Sequence, residues 1–350
     1  MLPINFKQFF LENILDFLWR QWSALGVAGG AYPEDRWIID PEAILVFSLE
    51  IARYEPRLFD EILDWLVVNG KWIDIQRLRS IIKNKEDTTQ RLVSAVAYFL
   101  SREIKTYQRK WRALSLHNKL SSNLPIEMLF KTKEGKPYPK PKEASVVFRD
   151  YGFLREELFL RRMSKSAPTN IRSNIRFLLR KFFGIGSRSE CVVYLLTHDA
   201  GHPSEVAQAI GISVRATQDV LIELAESGLV LTRIKGKRKI EYWLPQKRWW
   251  EFLSGMNYED TKNPIWLDWI SLYSALIEVW DVLKETEKTE SDYMRSSKLR
   301  DAMKTISHKF SESKIAVPAV PDRNVSSENY EQAFHDFIIK VLGASGGTGR

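Results

Sequence analysis

Residues 211–244, GISVRATQDVLIELAESGLVLTRIKGKRKIEYWL, join a helix-forming run, a glycine stop and a segment whose tip is almost entirely cationic. Gly211-Ile212-Ser213 has the chemistry of a tight turn: glycine takes positive φ without steric cost, and a serine ahead of a helix accepts hydrogen bonds from its first free amides. From Val214 onward the apolar positions recur at helical spacing. Val214, Val220, Leu221, Leu224 and Ala225 are expected on a packed side with Thr217 at its margin, while Arg215, Gln218, Asp219 and Ile222 project outward. Gly228 ends this helix, Leu229-Val230-Leu231 begins an alternating strand, and Lys235-Gly236-Lys237 turns it back into Lys239–Leu244. Two further helical segments precede it, SRSECVVYLLTHDAG (187–201) and HPSEVAQAIGIS (202–213). The predicted order is helix, helix, turn, helix, hairpin.

Residues 187–244 resemble the winged helix-turn-helix domain of bacterial transcriptional regulators of the ArsR and MarR type. The likeness is carried by Ser204-Glu205-Val206-Ala207, Ile210-Gly211-Ile212-Ser213, Leu224, Ser227-Gly228-Leu229-Val230 and Tyr242-Trp243-Leu244, and covers about a sixth of the chain. It implies that helix 214–227 enters the DNA major groove and that the hairpin is a wing on the adjacent backbone or minor groove. Arg215, Thr217, Gln218 and Asp219 then take base-contacting positions, and Arg233, Lys235, Lys237, Arg238 and Lys239 face phosphates. The helix departs from the most favourable case, because Arg215 is its only cation and Asp219, Glu223 and Glu226 share its solvent side. A carboxylate accepts from cytosine N4 at a base edge but repels a phosphate. The wing and the arginines ahead of the domain must then supply much of the affinity.

The charge distribution fits such a role. Residues 161–250 hold sixteen Lys and Arg against seven Asp and Glu, a net +9 in a chain whose total is +8. A basic segment in an otherwise neutral chain is the footprint of polyanion binding through counterion release, and a solvated basic surface is the alternative. Within it, Arg172, Arg176 and Arg180 recur every four residues and align on one helical face, with Ile175, Leu178 and Leu179 on the packing sides. Such a stripe suits a phosphate backbone; it equally suits acidic residues of another domain. Counting about six neutralised phosphates, log affinity should fall against log salt with a slope near −5.

The fold class expected for the whole chain is mainly α, multi-domain, with the winged helix-turn-helix and its small β-hairpin inside it. An N-terminal helical domain, 1–117, opens with a helix from Phe6 to about Ser23, then Asp40-Pro41-Glu42 as cap and first turn, then Glu55-Pro56 leading into RLFDEILDWLVVNG with Gly70 as C-cap. IDIQRLRSIIKN (73–84) and TTQRLVSAVAYFLSREIK (88–105) follow, three short helices that are either plain packing or a second helix-turn-helix-like unit. Residues 118–186 read as a basic linker and connecting helix. KTKEGKPYPKPKE (131–143), with its three prolines and five lysines, is a tether or an exposed loop along a phosphate backbone. The winged unit is assigned 187–250, a C-terminal helical domain 262–342 with helices in NPIWLDWISLYSALIEVWDVLKETEK, YMRSSKLRDAMKTISHKF and SSENYEQAFHDFIIKVL, and a disordered tail 343–350. The wider arrangement, with a YGFLREELFLR stretch ahead of the winged helix, also resembles bacterial proteins read as regulators, which implies no ligand or target.

Other chemistries find little footing. No apolar run approaches the ~20 residues of a membrane helix, and Lys7, Glu12, Asp16 and Arg20 interrupt any signal core, so a cytoplasmic protein is expected. The single Cys191 excludes an intramolecular disulfide and, among Val192, Val193 and Leu195, reads as a small buried apolar residue. His198, Asp199 and His202 cluster in THDAGH but on an inter-helix loop where polar residues are ordinary, so no metal is assigned. No phosphate loop, nucleophile elbow or zinc-protease helix occurs, and neither catalysis nor a cofactor is expected. Trp266, Trp269, Trp280, Trp249 and Trp250 suit a core as well as an effector pocket. The functional expectation is a sequence-specific DNA-binding transcriptional regulator, acting on double-stranded DNA as a homodimer, with an unidentified small-molecule or protein effector. Its interface would lie in the helices after Trp250 or before Ser115. A non-enzymatic protein-interaction adaptor, with the winged helix as scaffold, is the alternative.

Overall fold

The computed structural model describes residues 5–29, 35–115, 126–236, 238–254, 263–322 and 324–344. The chain is mainly helical, with one small antiparallel sheet of two strands. Among the described residues no helix is long and apolar enough to cross a membrane.

Helix α1 (Phe6–Ala24) begins where Asn5 accepts from the Gln8 amide at 3.2 Å, and buries Phe10, Ile14, Leu18 and Trp22 along one stripe. Helix α2 (Pro41–Ile51) starts as the sequence predicts: Asp40 caps the Ala43 amide at 3.0 Å and proline fills the first turn. Its residues from Pro41 to Leu49 are all buried, so it runs through the interior rather than along a surface. Helices α4 (Ile75–Ile82) and α5 (Asp87–Glu103) pack on it, and α3 (Pro56–Asn69) and α6 (Gln108–Ser115) pack on α5 in turn. Gly70 does follow α3, but with right-handed backbone; what favours a small residue there is the Trp111 indole, 3.1 Å from where a Cβ would sit.

The C-terminal helices belong to the same core. Helix α13 (Trp269–Glu287) packs on α1 and α2, with Tyr273 stacked on Phe47 at 4.4 Å and its hydroxyl donating to Gln21 at 2.6 Å. Helix α14 (Asp292–Glu312) lies on α13, and α15 (Ser327–Ala344) on α14. The expected division into separate helical domains, 1–117 and 262–342, is therefore replaced by one cluster that includes buried residues from Phe6 to Phe177 and from Leu267 to Leu342. Aromatic residues far apart in sequence close it, which no local pattern foretells. Residues 345–350 of the expected tail lie outside the described residues.

The stretch expected as a linker is also built into this core. Strands β1 (Glu127–Met128) and β2 (Phe153–Leu154) pair in parallel, a four-residue helix α7 (Val146–Arg149) lies between them, and Leu129, Phe148, Tyr151 and Phe153 are buried. Residues 131–143 fold back as a mostly exposed loop, closed where Thr132 donates to the Lys136 carbonyl at 2.7 Å and Tyr138 to Phe130 at 3.1 Å. Residues 155–164 then run extended along α3. Asp64 accepts from the amides of Arg162, Met163 and Ser164 at 2.7, 3.1 and 3.0 Å, which holds Arg162 at φ +55°, a conformation uncommon for a side chain with a Cβ.

A second, smaller core covers 175–266. It contains α8 (Ile175–Phe183), α9 (Ser187–Leu195), α10 (Pro203–Ile210), α11 (Val214–Glu226), strands β3 (Leu231–Lys235) and β4 (Lys239–Trp243) and α12 (Gln246–Ser254), together with Ile38 from the first body. Backbone hydrogen bonds from Ile39 to Ser173 (3.0 Å) and from Ile38 to Ile265 (3.1 Å) tie the two.

Candidate nucleic-acid interface

The predicted turn is formed as its chemistry dictates. Gly211 closes α10 in the left-handed region at φ +71°, and Ser213 accepts from the Ala216 amide at 3.3 Å. Val220, Leu221 and Leu224 of α11 meet Val192, Leu195, Val206 and Ile210 in the core. Arg215, Gln218, Asp219 and Ile222 are exposed, as the helical spacing predicts. Two neighbours differ from their expected places. Val214 at the first turn is exposed, and Thr217 is fully buried, so Thr217 cannot touch a base edge and is withdrawn from the contact set.

The hairpin pairs Leu231 with Trp243, Arg233 with Glu241 and Lys235 with Lys239. On its other side β4 meets the loop before α10, where Gly201 and Tyr242 exchange backbone bonds of 2.9 and 3.0 Å. A Cβ on Gly201 would lie 2.6 Å from Val206 Cγ2, so this approach needs glycine. Strand β3 is the outer edge and all five of its residues are exposed.

The hairpin cations are exposed but largely occupied. Arg233 and Lys235 both reach Glu241 at 3.0 Å, and their hydrogen bonds, that of Lys235 foremost, hold its carboxyl below the usual range. Lys239 contacts Glu205 at 2.6 Å, fastening the hairpin to the start of α10. Arg238 is exposed and makes no ion pair among the described residues, whereas Lys237 lies outside them. On α11, Glu223 is taken by Arg188 of α9 at 2.7 Å, a pair 35 positions apart with no local signal to announce it.

The arginine stripe is the largest correction. Arg172 sits in a 3-10 turn ahead of α8, half-buried, donating to Asn263 at 3.0 Å. Arg176 and Arg180 point inward and are buried. Arg180 binds Glu42 through both terminal nitrogens (2.7 and 2.9 Å), Glu190 at 2.7 Å and the Trp72 carbonyl at 2.6 Å. Arg176 lies 3.0 Å from Asp40 and 3.2 Å from Glu190. Arg77 of α4 completes the set by pairing with Asp40 and, at 2.9 Å, with Glu42, while its Nε donates to the Ile210 carbonyl at 3.1 Å. Three guanidinium groups thus balance three carboxylates in a sealed cluster between the two cores. Burial alone would raise the Asp40 and Glu42 carboxyls, but the adjoining arginines, Arg77 and Arg176 for Asp40 and Arg180 first for Glu42, hold both below their ordinary range. Neither Arg176 nor Arg180 can face a DNA backbone. Glu190, the one carboxylate beside the apolar run CVVYLL, was the available hint that a buried partner existed.

The remaining candidates are structural. Cys191 is buried, which pushes its thiol up to about 12. His198 stacks on Tyr194 at 3.8 Å and bonds its carbonyl at 2.9 Å, while His202 caps α10. Among the described residues no three His, Cys, Asp or Glu gather as a metal site. Trp266 and Trp250 fill the second core, Trp269 and Trp280 the first. Compared with known protein families, curated proteins and solved structures, the chain matches none.

Proposed function

We propose that the chain is a DNA-binding regulator that reads duplex DNA with α11 as the recognition helix of a winged helix-turn-helix, the β3–β4 hairpin serving as wing. The observation that carries this reading is the order α10, left-handed turn, α11, hairpin, with Arg215, Gln218 and Asp219 side by side on the exposed face of α11. Arg215 and Gln218 have the donors that recognise guanine and adenine edges, and Asp219 can accept from cytosine. Arg238 and, once drawn away from their carboxylates, Arg233, Lys235 and Lys239 meet phosphates.

With Arg176 and Arg180 withdrawn and three hairpin cations already paired, about three or four phosphates are neutralised, so the expected log–log salt slope is about −3 rather than −5. Fluorescence anisotropy of a labelled duplex at several salt concentrations tests it. Binding that is undetectable at low salt sinks the regulator in favour of the adaptor. One observation favours that second reading: Ile234 is 75% and Ile240 47% exposed on the hairpin, an apolar surface suited to a protein partner.

One such unit covers a single half-site, so we also propose a homodimer. Helix α12 exposes Phe252, whose ring lies 6.1 Å from that of exposed Phe182, with Trp249 and Phe183 behind them. This aromatic patch is the surface we assign to the second copy. Sedimentation of the Phe252→Asp variant should return a monomer; an unchanged dimer places the interface elsewhere.

A further inference from the structure

A groove runs between α4 and α13, floored by Ile81, Ile270 and Ile277. One end is a 480 Å³ cavity that reaches Gly211, the turn residue before α11. The other is a 150 Å³ recess beside Tyr54 and Trp280, and the two share Lys85, Glu86, Ile277 and Asp281. Most charges along the groove already have answers. Asp281 pairs with Lys284 at 2.6 Å, Glu278 with Lys309 at 2.8 Å and Glu50 with Lys85 at 3.9 Å, while Glu86 is exposed at the rim. Arg53 is taken by Glu127 at 2.7 Å and by the Leu129 carbonyl at 2.9 Å.

Lys131 is the exception. It lines the recess half-buried, with no ion pair among the described residues. Burial, and then the neighbouring charge of Arg53, depress its basicity; Glu127 opposes them in part, and Lys284 and Lys288 add to the depression. A partly desolvated cation whose nearest charge is another cation gains from an anion that joins it.

We propose that this groove binds an amphipathic monoanion, its head on Lys131 Nζ and its hydrocarbon tail laid over Ile277, Ile81 and Ile270 toward Gly211. From Ile270 to Ile277 helix α13 rises about 10 Å, roughly the length of an eight-carbon chain. Such a ligand also touches the machinery that sets α11: the tail ends at Gly211, beside Arg77, whose Nε holds the Ile210 carbonyl at 3.1 Å. Occupancy therefore biases the turn and changes DNA affinity, a second half of the proposal that rests on the DNA-binding function above.

Calorimetric titration of the full chain with octanoate tests the site, with 1-octanol as the tail without charge and acetate as the head without tail. Octanoate should bind at least about tenfold more tightly than octanol, acetate should not bind measurably, and Lys131→Gln should remove that tenfold advantage while leaving octanol unchanged. Lys131 stands at the start of a mostly exposed loop, and circular dichroism serves as the check that the variant is folded. Equal binding of octanoate and octanol, no binding of either, or an unaltered octanoate affinity in Lys131→Gln overturns the proposal. Duplex affinity measured with and without octanoate then tests the coupling. Octanoate that binds without altering DNA affinity overturns the coupling alone. A chain that binds no DNA fails the proposed function, while the calorimetry still decides the site.

Discussion

Arg180 and Arg233 carry the same guanidinium group and each faces a glutamate, yet they do different work. Arg180 and its partners Glu42 and Glu190 are sealed from water, and the Arg180 guanidinium bonds both carboxylates and a carbonyl. Arg233 is half open to solvent and shares Glu241 with Lys235. In the interior a lone charge is so costly that the cluster must stay complete, which makes it a rigid joint between the two cores. On the hairpin the cations themselves stand in water and the covered Glu241 has two of them, so one can leave for a phosphate while the other stays. Burial, not residue type or spacing, separates a cation that joins two bodies from one that can meet a ligand.

The sharpest way to break this contrast is Arg180→Met, which leaves three buried carboxylates to two arginines, Glu42 to Arg77 and Glu190 to Arg176. A loss of about 3–5 kcal/mol in urea unfolding is expected. A loss below about 1 kcal/mol would place the cluster in water after all. Acid probes the same cluster without mutation. Asp40 and Glu42 are held below their ordinary range, so their contribution is complete above the unfolded-state value near pH 4 and is lost as pH falls below it toward their folded values. Chemical denaturation from pH 7 to pH 2 should therefore show a plateau and then a decline, and Glu42→Gln should make that decline shallower.

The exposed surface predicts smaller effects, read in binding rather than folding. Arg215→Ala and Gln218→Ala should each lose roughly 1–3 kcal/mol on a preferred duplex and much less on nonspecific DNA. Selection of a preferred site from a random pool, followed by anisotropy, measures the difference; an unchanged preference removes α11 as the reader. Glu241→Gln releases Arg233 and Lys235, and should tighten nonspecific binding and steepen the salt slope by one to two units, about one per freed cation. The smallest effect belongs to Arg233→Ala. It should shift unfolding by no more than about 1 kcal/mol, because Arg233 is half exposed and Lys235 stays on Glu241.

Local chemistry decided much of this protein in advance. Asp40-Pro41 and Ser213 announce their helices because capping needs only the neighbouring amides, Gly211 announces its turn because only glycine enters that conformation freely, and the stripe of Val220, Leu221 and Leu224 announces a packed face because a helix repeats every 3.6 residues. The exposure of Arg215, Gln218 and Asp219 was legible for the same reason. The direction of the Arg172, Arg176 and Arg180 stripe was not, since four-residue spacing aligns side chains on one face without saying whether that face meets water or protein. Its partner Glu42 lies 138 positions from Arg180, and only the closing of α2, α4, α8 and α9 on one another brings them together. The same holds for the shared core of the N- and C-terminal helices, the folding of residues 126–177 into it, and Lys131 at the groove. Spacing along a chain fixes which side chains share a face; which face is buried depends on contacts between distant segments, and those exist only once the chain has folded.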